Sequence, residues 1–279
     1  MTFVDSIRGA SLISILAAAS GVLAPLPASA QGDLLVAPTR VVLSGGGGTE
    51  VILSNIGEKT ATYRIALELR RMTPDGNIDD IAEAEATPAE KAALAMVRYA
   101  PRRITLQPNQ PQSVRISARP PAELPNGEYR VHMSFKAIPD PTATVDTIEQ
   151  KSEGLTIRLT PIYGLTIPMI VRKGQLEATA ALAHPRIERS DKLTYFKVDI
   201  QRSGARSVYG DVLVLPRGGD KPLYEARGLA VYAELPARTV SLQLSPEQAG
   251  RLKGPVRVEY REPRETGGKL IAAVDATLN

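Results

Sequence analysis

The sequence has no cysteine, no tryptophan and only two histidines among 279 residues. Without cysteine there can be no disulfide, iron–sulfur cluster, thiolate zinc site or cysteine nucleophile. His132 and His184 leave little for an imidazole metal site or a proton relay. Aromatics are 4% of the chain, and charge is nearly balanced, with 34 Lys and Arg against 30 Asp and Glu. The basic residues are dispersed, apart from the pairs at 70–71 and 102–103. Nucleic-acid binding needs a denser patch interleaved with stacking aromatics. What is present is the composition of a folded globular chain, 43% apolar and 23% charged. The length accommodates about two domains of roughly 100–200 residues each. The balance leans from catalysis toward binding or structure, with no cofactor or metal implied.

The N-terminus has three parts. Met1–Arg8 carries the base Arg8, Ala10–Leu23 is mostly Ala, Leu, Ile, Val and Ser, and Pro25 and Pro27 precede Ala28-Ser29-Ala30. This is the pattern of a cleavable secretory signal over residues 1–30. The apolar core falls short of the ~20 residues that a spanning helix needs. No later stretch is apolar enough to insert in a membrane. The reading is an exported mature chain, Gln31–Asn279, with a bacterial periplasm as the expected compartment.

The rest reads as strands. Tyr63, Ile65, Leu67 and Leu69 alternate with polar neighbours or Ala66, and Tyr129, Val131, Met133, Phe135 and Ala137 do likewise. Period two marks a strand with one buried face. Turn signals at Gly45–Gly48, Pro74–Asn77, Gln107–Asn109 and Pro125–Gly127 separate the runs. Strands are predicted near Leu34–Leu43, Glu50–Ser54, Ala61–Arg70, Arg103–Leu106, Ser113–Ala118, Glu128–Ile138 and Leu155–Val171. Pro88–Met96 is the one good helical window. Seven short antiparallel strands suggest an immunoglobulin-like sandwich over residues 31–172. Residues 172–174 look like a linker, and 175–279 read as a second, smaller β-sandwich, with alternation at Phe196–Ile200, Val208–Val214, Val240–Leu244, Val256–Tyr260 and Leu270–Val274. The fold class is all-β, with two sandwiches.

The seventh strand is unusual. Leu155, Ile157, Leu159, Tyr163, Leu165, Ile167, Met169 and Val171 share one parity, broken only by Pro161. Ordinary strands have about five or six residues. Pro161 and Pro168 cannot donate ladder bonds, which predicts an edge. Two readings stand: a bent strand crossing between sheets with its apolar face in the core, or a strand held ready to pair with another chain.

Three stretches resemble the periplasmic pilus chaperones of chaperone–usher systems, the PapD-like family. Leu35–Arg40 is similar to the family's first strand, which ends in an arginine. Pro101–Pro108 with Gln112–Ile116 is similar to its fourth and fifth strands. Leu124–Arg130, running on to Phe135 and Ile138-Pro139, is similar to its sixth strand. The resemblance covers about Leu34–Arg172. It implies two sandwiches arranged as a boomerang about a cleft, and a non-enzymatic chaperone that lends its seventh strand to pilus subunits before an outer-membrane usher takes them. It makes Arg40 the cleft arginine for the subunit's terminal carboxylate, and Leu155, Ile157 and Leu159 the donor residues. The family's second cleft base, a lysine, falls at Pro168 here. Either the register shifts, or Arg172 or Lys173 substitutes, or the anchoring is weaker.

Other signals are bland. Gly45–Gly48 lacks the lysine and helix of a phosphate loop. The acidic residues Asp79, Asp80, Glu83 and Glu85 lack calcium-loop spacing and read as a solvated loop. His132 falls on a strand's polar face and reads as a surface residue; His184, before Pro185, reads as a turn. An exported immunoglobulin-like structural or surface-binding protein, and an exported hydrolase, remain as other classes.

Overall fold

A computed structural model describes residues 33–139, 150–152, 155–157, 162–191 and 193–279. The predicted signal, Leu159 and Pro161 lie outside them, as do the side chains of Leu155 and Ile157.

In chain order the first half contains β1 (Leu34–Ala37), β2 (Val41–Ser44), β3 (Gly47–Asn55), β4 (Ala61–Glu68), β5 (Arg70–Met72), β6 (Ile78–Asp80), helix α1 (Pro88–Met96), β7 (Val97–Ala100), β8 (Arg103–Leu106), β9 (Pro111–Ala118), β10 (Gly127–Ile138), β11 (Gln150–Ser152), β12 (Leu155–Ile157) and β13 (Gly164–Lys173). A four-stranded sheet in the order β1-β3-β9-β7 faces a five-stranded sheet in the order β2-β13-β10-β4-β8. Inward residues of the two sheets, among them Val36, Leu53, Val114, Ile65, Phe135 and Met169, form one core. The alternation explains the layering: Met133 stands opposite Leu67 and Ile167, and Phe135 opposite Ile65 and Leu165.

The helix has its predicted bounds. Thr87 caps it, accepting from the Glu90 amide while the Glu90 carboxylate accepts from the Thr87 amide, and Pro88 opens its first turn. Three predicted strands differ. Leu34–Leu43 is two strands in different sheets, because Pro38 has no N–H for a ladder and the chain crosses there. Ala61–Arg70 ends at Glu68, and Arg70–Met72 pairs instead with Ile78–Asp80 across the predicted Pro74–Asn77 turn. Leu155–Val171 is not one strand. Leu155–Ile157 pairs antiparallel with Gln150–Ser152 as a separate ladder, and β13 begins at Gly164.

The second half contains β14 (Ala178–Ser190), β15 (Leu193–Gly204), β16 (Val208–Pro216), β17 (Tyr224–Val231), β18 (Ala237–Leu244), helix α2 (Pro246–Arg251), β19 (Gly254–Arg261) and β20 (Leu270–Leu278). Sheets ordered β14-β15-β18 and β17-β16-β19-β20 enclose a second core that includes Phe196, Val198, Ile200, Val214 and Tyr260. The chain is thus all-β, with two sandwiches. The sequence pattern misses β14 and β17, and irregular pairing obscures both. A register shift falls between Ala183 and Arg186, so His184 sits in a strand irregularity with φ 50 rather than in a turn. A second shift lies between Gly210 and Val212, where the Gly228 amide donates to Asp211 at 2.9 Å.

Candidate binding site: a half-covered strand beside an arginine cluster

β13 pairs along its whole length with β10, from Lys173 opposite Gly127 to Gly164 opposite Lys136. On its other side β2 runs parallel and covers only Met169–Arg172. Among the described residues nothing pairs with that side of Gly164–Pro168. Among the described residues the predicted edge is therefore present at the front of the strand and absent at its end. Side chains follow the same division. Ile167, Met169 and Val171 enter the first core. Ile170, on the opposite face, is buried against Met72, Ala230 and Tyr232. Ahead of them Ile162, Tyr163 and Leu165 are 62%, 49% and 37% exposed. Apolar side chains leading into an open strand edge are a standing invitation to another chain.

Arg40 immediately precedes β2, at the point where that strand takes over the edge. Its Nη2 donates to Ser207 Oγ at 3.3 Å, and its guanidinium lies 4.5 Å from the centroid of Tyr209. Burial lowers its ionisation range, Tyr232 opposes this, and the Arg172 charge adds to it. Arginine nonetheless stays protonated. Arg40 Nε is buried without a partner.

Arg172 stands opposite Glu128 on β10 and donates Nε to its Oε2 at 2.9 Å. Its Nη2 reaches Ser207 Oγ at 3.5 Å, and Ser207 donates to the same Glu128 oxygen at 2.9 Å. Two residues singled out in the sequence, Arg40 and Arg172, thus meet on one serine hydroxyl. Lys173 is directed elsewhere, capping the carbonyls of Pro121, Ala122 and Leu124. Pro168 pairs opposite His132. The pattern did not reveal Ser207, Tyr209 or Glu128. Glu128 was accessible in principle, since the β10–β13 register sets it directly across from Arg172.

The polar face of β10 carries the second sandwich. Arg130 donates to both oxygens of Glu234, at 3.1 and 2.5 Å, and to the Arg70 carbonyl at 3.0 Å, and lies 3.6 Å from the Tyr232 ring centroid. The β5–β6 hairpin crosses as well: the Met72 amide donates to Glu234 at 3.1 Å, and the Thr239 amide donates to the Pro74 carbonyl at 2.8 Å. His132, expected at the surface, is buried edge-on to Tyr232 with centroids 6.4 Å apart. Its strand face is polar, but that face is covered. Burial, then the charges of Arg130 and Arg70, push its pKa down to about 3.

No protein-family model matches the sequence, and no curated protein matches it. Solved structures do. The CupB2 chaperone of Pseudomonas aeruginosa is 15% identical, with 88% of this chain and 100% of that chain covered and a TM-score of 0.45. A chain of the CsuC–CsuE chaperone–tip adhesion subunit pre-assembly complex from the archaic chaperone-usher Csu pili of Acinetobacter baumannii is 10% identical, covering 89% and 100%, with a TM-score of 0.45. A chain of the Salmonella enterica SafA pilin–SafB chaperone complex is 16% identical, covering 88% and 96%, with a TM-score of 0.41.

Proposed function

We propose that this chain is a periplasmic chaperone of the PapD-like kind, which holds pilus subunits by lending them an edge strand and passes them to an outer-membrane usher. In this reading residues 1–30 are the export signal, 31–172 the chaperone domain and 175–279 the second sandwich. The observation that carries it is the half-open strand. β2 covers the side of β13 from Met169 onward, parallel to it, with Val41 opposite Met169. A chain added to Gly164–Pro168 in the same direction would run in line with β2 and end head-on against its start. Arg40 stands there, so the terminal carboxylate of the added chain arrives at a guanidinium. Arginine suits that task because its planar fork donates charge-assisted bonds to both carboxylate oxygens. A fixed carboxylate also sets register, and a slip of one residue would turn the wrong side chains inward.

The energies are adequate. Ladder hydrogen bonds contribute about 0.5–1.5 kcal/mol each. Each aliphatic anchor that leaves water adds roughly 1.5–3 kcal/mol. In this reading Leu155, Ile157 and Leu159 enter the subunit's groove, with Tyr163 and Leu165 continuing their parity. Arg172, paired with Glu128, assists from beside Arg40.

The test is to export the chain together with a candidate pilus subunit, isolate the complex and map amide exchange. Capture of a small β-rich subunit with new protection at residues 155–168 supports the reading. Recovery of the chain alone, or capture without protection on that segment, overturns it.

A further inference from the structure

The link between the sandwiches borders a pocket of ≈ 530 Å³. Ser44 and Gly45 at the end of β2, Arg172 of β13, Gln175 and Leu176 of the link, and Arg206 ahead of β16 line it. Two guanidiniums, a hydroxyl and a carboxamide thus surround the space, and among the described residues no carboxylate lines it. Arg206 is fixed in place, with Nε donating to the Leu176 carbonyl at 3.1 Å and Nη1 to the Ser207 carbonyl at 3.5 Å. Among the described residues, Arg206 Nη2 and Arg172 Nη1 have no acceptor. Glu128, whose side chain is 2% exposed, is already bonded to Arg172 and Ser207. Arg40 and Arg172 both donate to the Ser207 hydroxyl and Arg206 donates to the Ser207 carbonyl, so three arginines gather around Ser207, which is bonded to the carboxylate of Glu128. Such an excess of like charge, walled partly from water, attracts an anion.

We propose that this pocket is a binding site for one small oxyanion, of the carboxylate or phosphate class, gripped between Arg172 and Arg206. The remaining N–H groups of the two guanidiniums can donate charge-assisted bonds to the oxygens of a carboxylate or a phosphate. An anion here ties the end of the first sandwich to the second through their link. The proposal does not depend on strand lending: Arg172 is the one residue it shares with that reading, while Arg206, which completes the grip, has no part there, and neither Arg40 nor the open edge of β13 lines the pocket.

Inorganic phosphate and acetate are the probes, titrated into the full mature chain against chloride at constant ionic strength. Binding is followed by calorimetry and by the NMR signals of the arginine Nε–H groups. A saturable phosphate response that moves the Arg172 and Arg206 signals is expected. Arg206→Gln should weaken it by about tenfold or more, the loss of one charge-assisted fork. Displacement of phosphate by acetate assigns the carboxylate class, and no displacement assigns the phosphate class. A linear, unsaturable response, or equal affinity in wild type and Arg206→Gln, overturns the proposal. If the glutamine variant fails to fold, Arg206→Lys keeps the charge and loses the fork, and unchanged phosphate affinity there overturns it equally.

Discussion

His132 gives the sharpest test of how the second sandwich sits on the first. The groups facing it are Arg130 on its own strand, Arg70 on β5, Glu68 on β4 and the Tyr232 ring of the second sandwich. Glu68 alone favours the imidazolium, and burial with the two arginines outweighs it, so the folded pKa falls from 6.5 to about 3. The unfolded chain therefore binds a proton that the folded chain refuses. Stability is full above about pH 6.5 and is lost as pH falls, by up to about 1.4 kcal/mol per unit, until pH nears the folded value. Between pH 7 and pH 5 this amounts to about 2 kcal/mol from one residue. The carboxylates held low by partners, such as Glu68 and Glu90, lose their contribution only below their ordinary range, so they leave this window clear. His132→Phe keeps a flat ring against Tyr232 and removes both the titration and a buried Nδ1 that has no partner. Urea unfolding at pH 7 and pH 5 should show the wild type losing about 2 kcal/mol more than the variant. If both lose the same amount, His132 is not buried and neutral, and the seating of Tyr232 on β10 is wrong.

Three further outcomes are expected. Glu234→Ala removes the acceptor shared by Arg130 and the Met72 amide, leaving Arg130 with a side chain only 9% exposed; chemical unfolding should show a loss of about 2–4 kcal/mol, and a loss below about 0.5 kcal/mol would show the seam to be held by other contacts. Arg40→Ala should abolish subunit capture in a pull-down while costing the free chain only about 1 kcal/mol of cation–π contact with Tyr209; undiminished capture refutes the role given to Arg40. Leu165→Asp and Ile157→Asp should each cut subunit affinity at least about tenfold by placing a charge in an apolar groove; unfolding of the free chain by Ile157→Asp would assign that residue to the chain's own core.

The strands that pack one face inward were legible because one face carries their whole signal. Tyr63–Leu69 and Tyr129–Ala137 alternate over enough residues to fix both the element and its buried side. Helix α1 was legible to the residue, because Thr87, Pro88 and Glu90 spell a start and the β-branched Val97 begins the strand that follows it. The misses have physical causes. Pro38 divides what alternation alone would join. β14 and β17 carry irregularities that break period two. His132 shows the limit of the face rule: alternation says which residues share a face, and says nothing of whether another layer covers the polar one.

The same limit governs the site. Parity places Leu165, Ile167, Met169 and Val171 together, yet their environments differ along the strand, because coverage by β2 begins only at Met169. Nothing local to β13 encodes that boundary; it is set by where β2 starts, and β2 starts where Arg40 ends the crossing from the other sheet. One short bend thus fixes the length of open edge and puts a guanidinium at its stop. Ile170 completes the arrangement. Against Met72, Ala230 and Tyr232 it anchors the covered half of β13 to the second sandwich, so the half with one open side belongs to a strand held by β10 along its length and by the second sandwich at its end. A strand offered to another chain needs that rigidity, since ordering a loose one would subtract about 1–2 kcal/mol per residue from the binding.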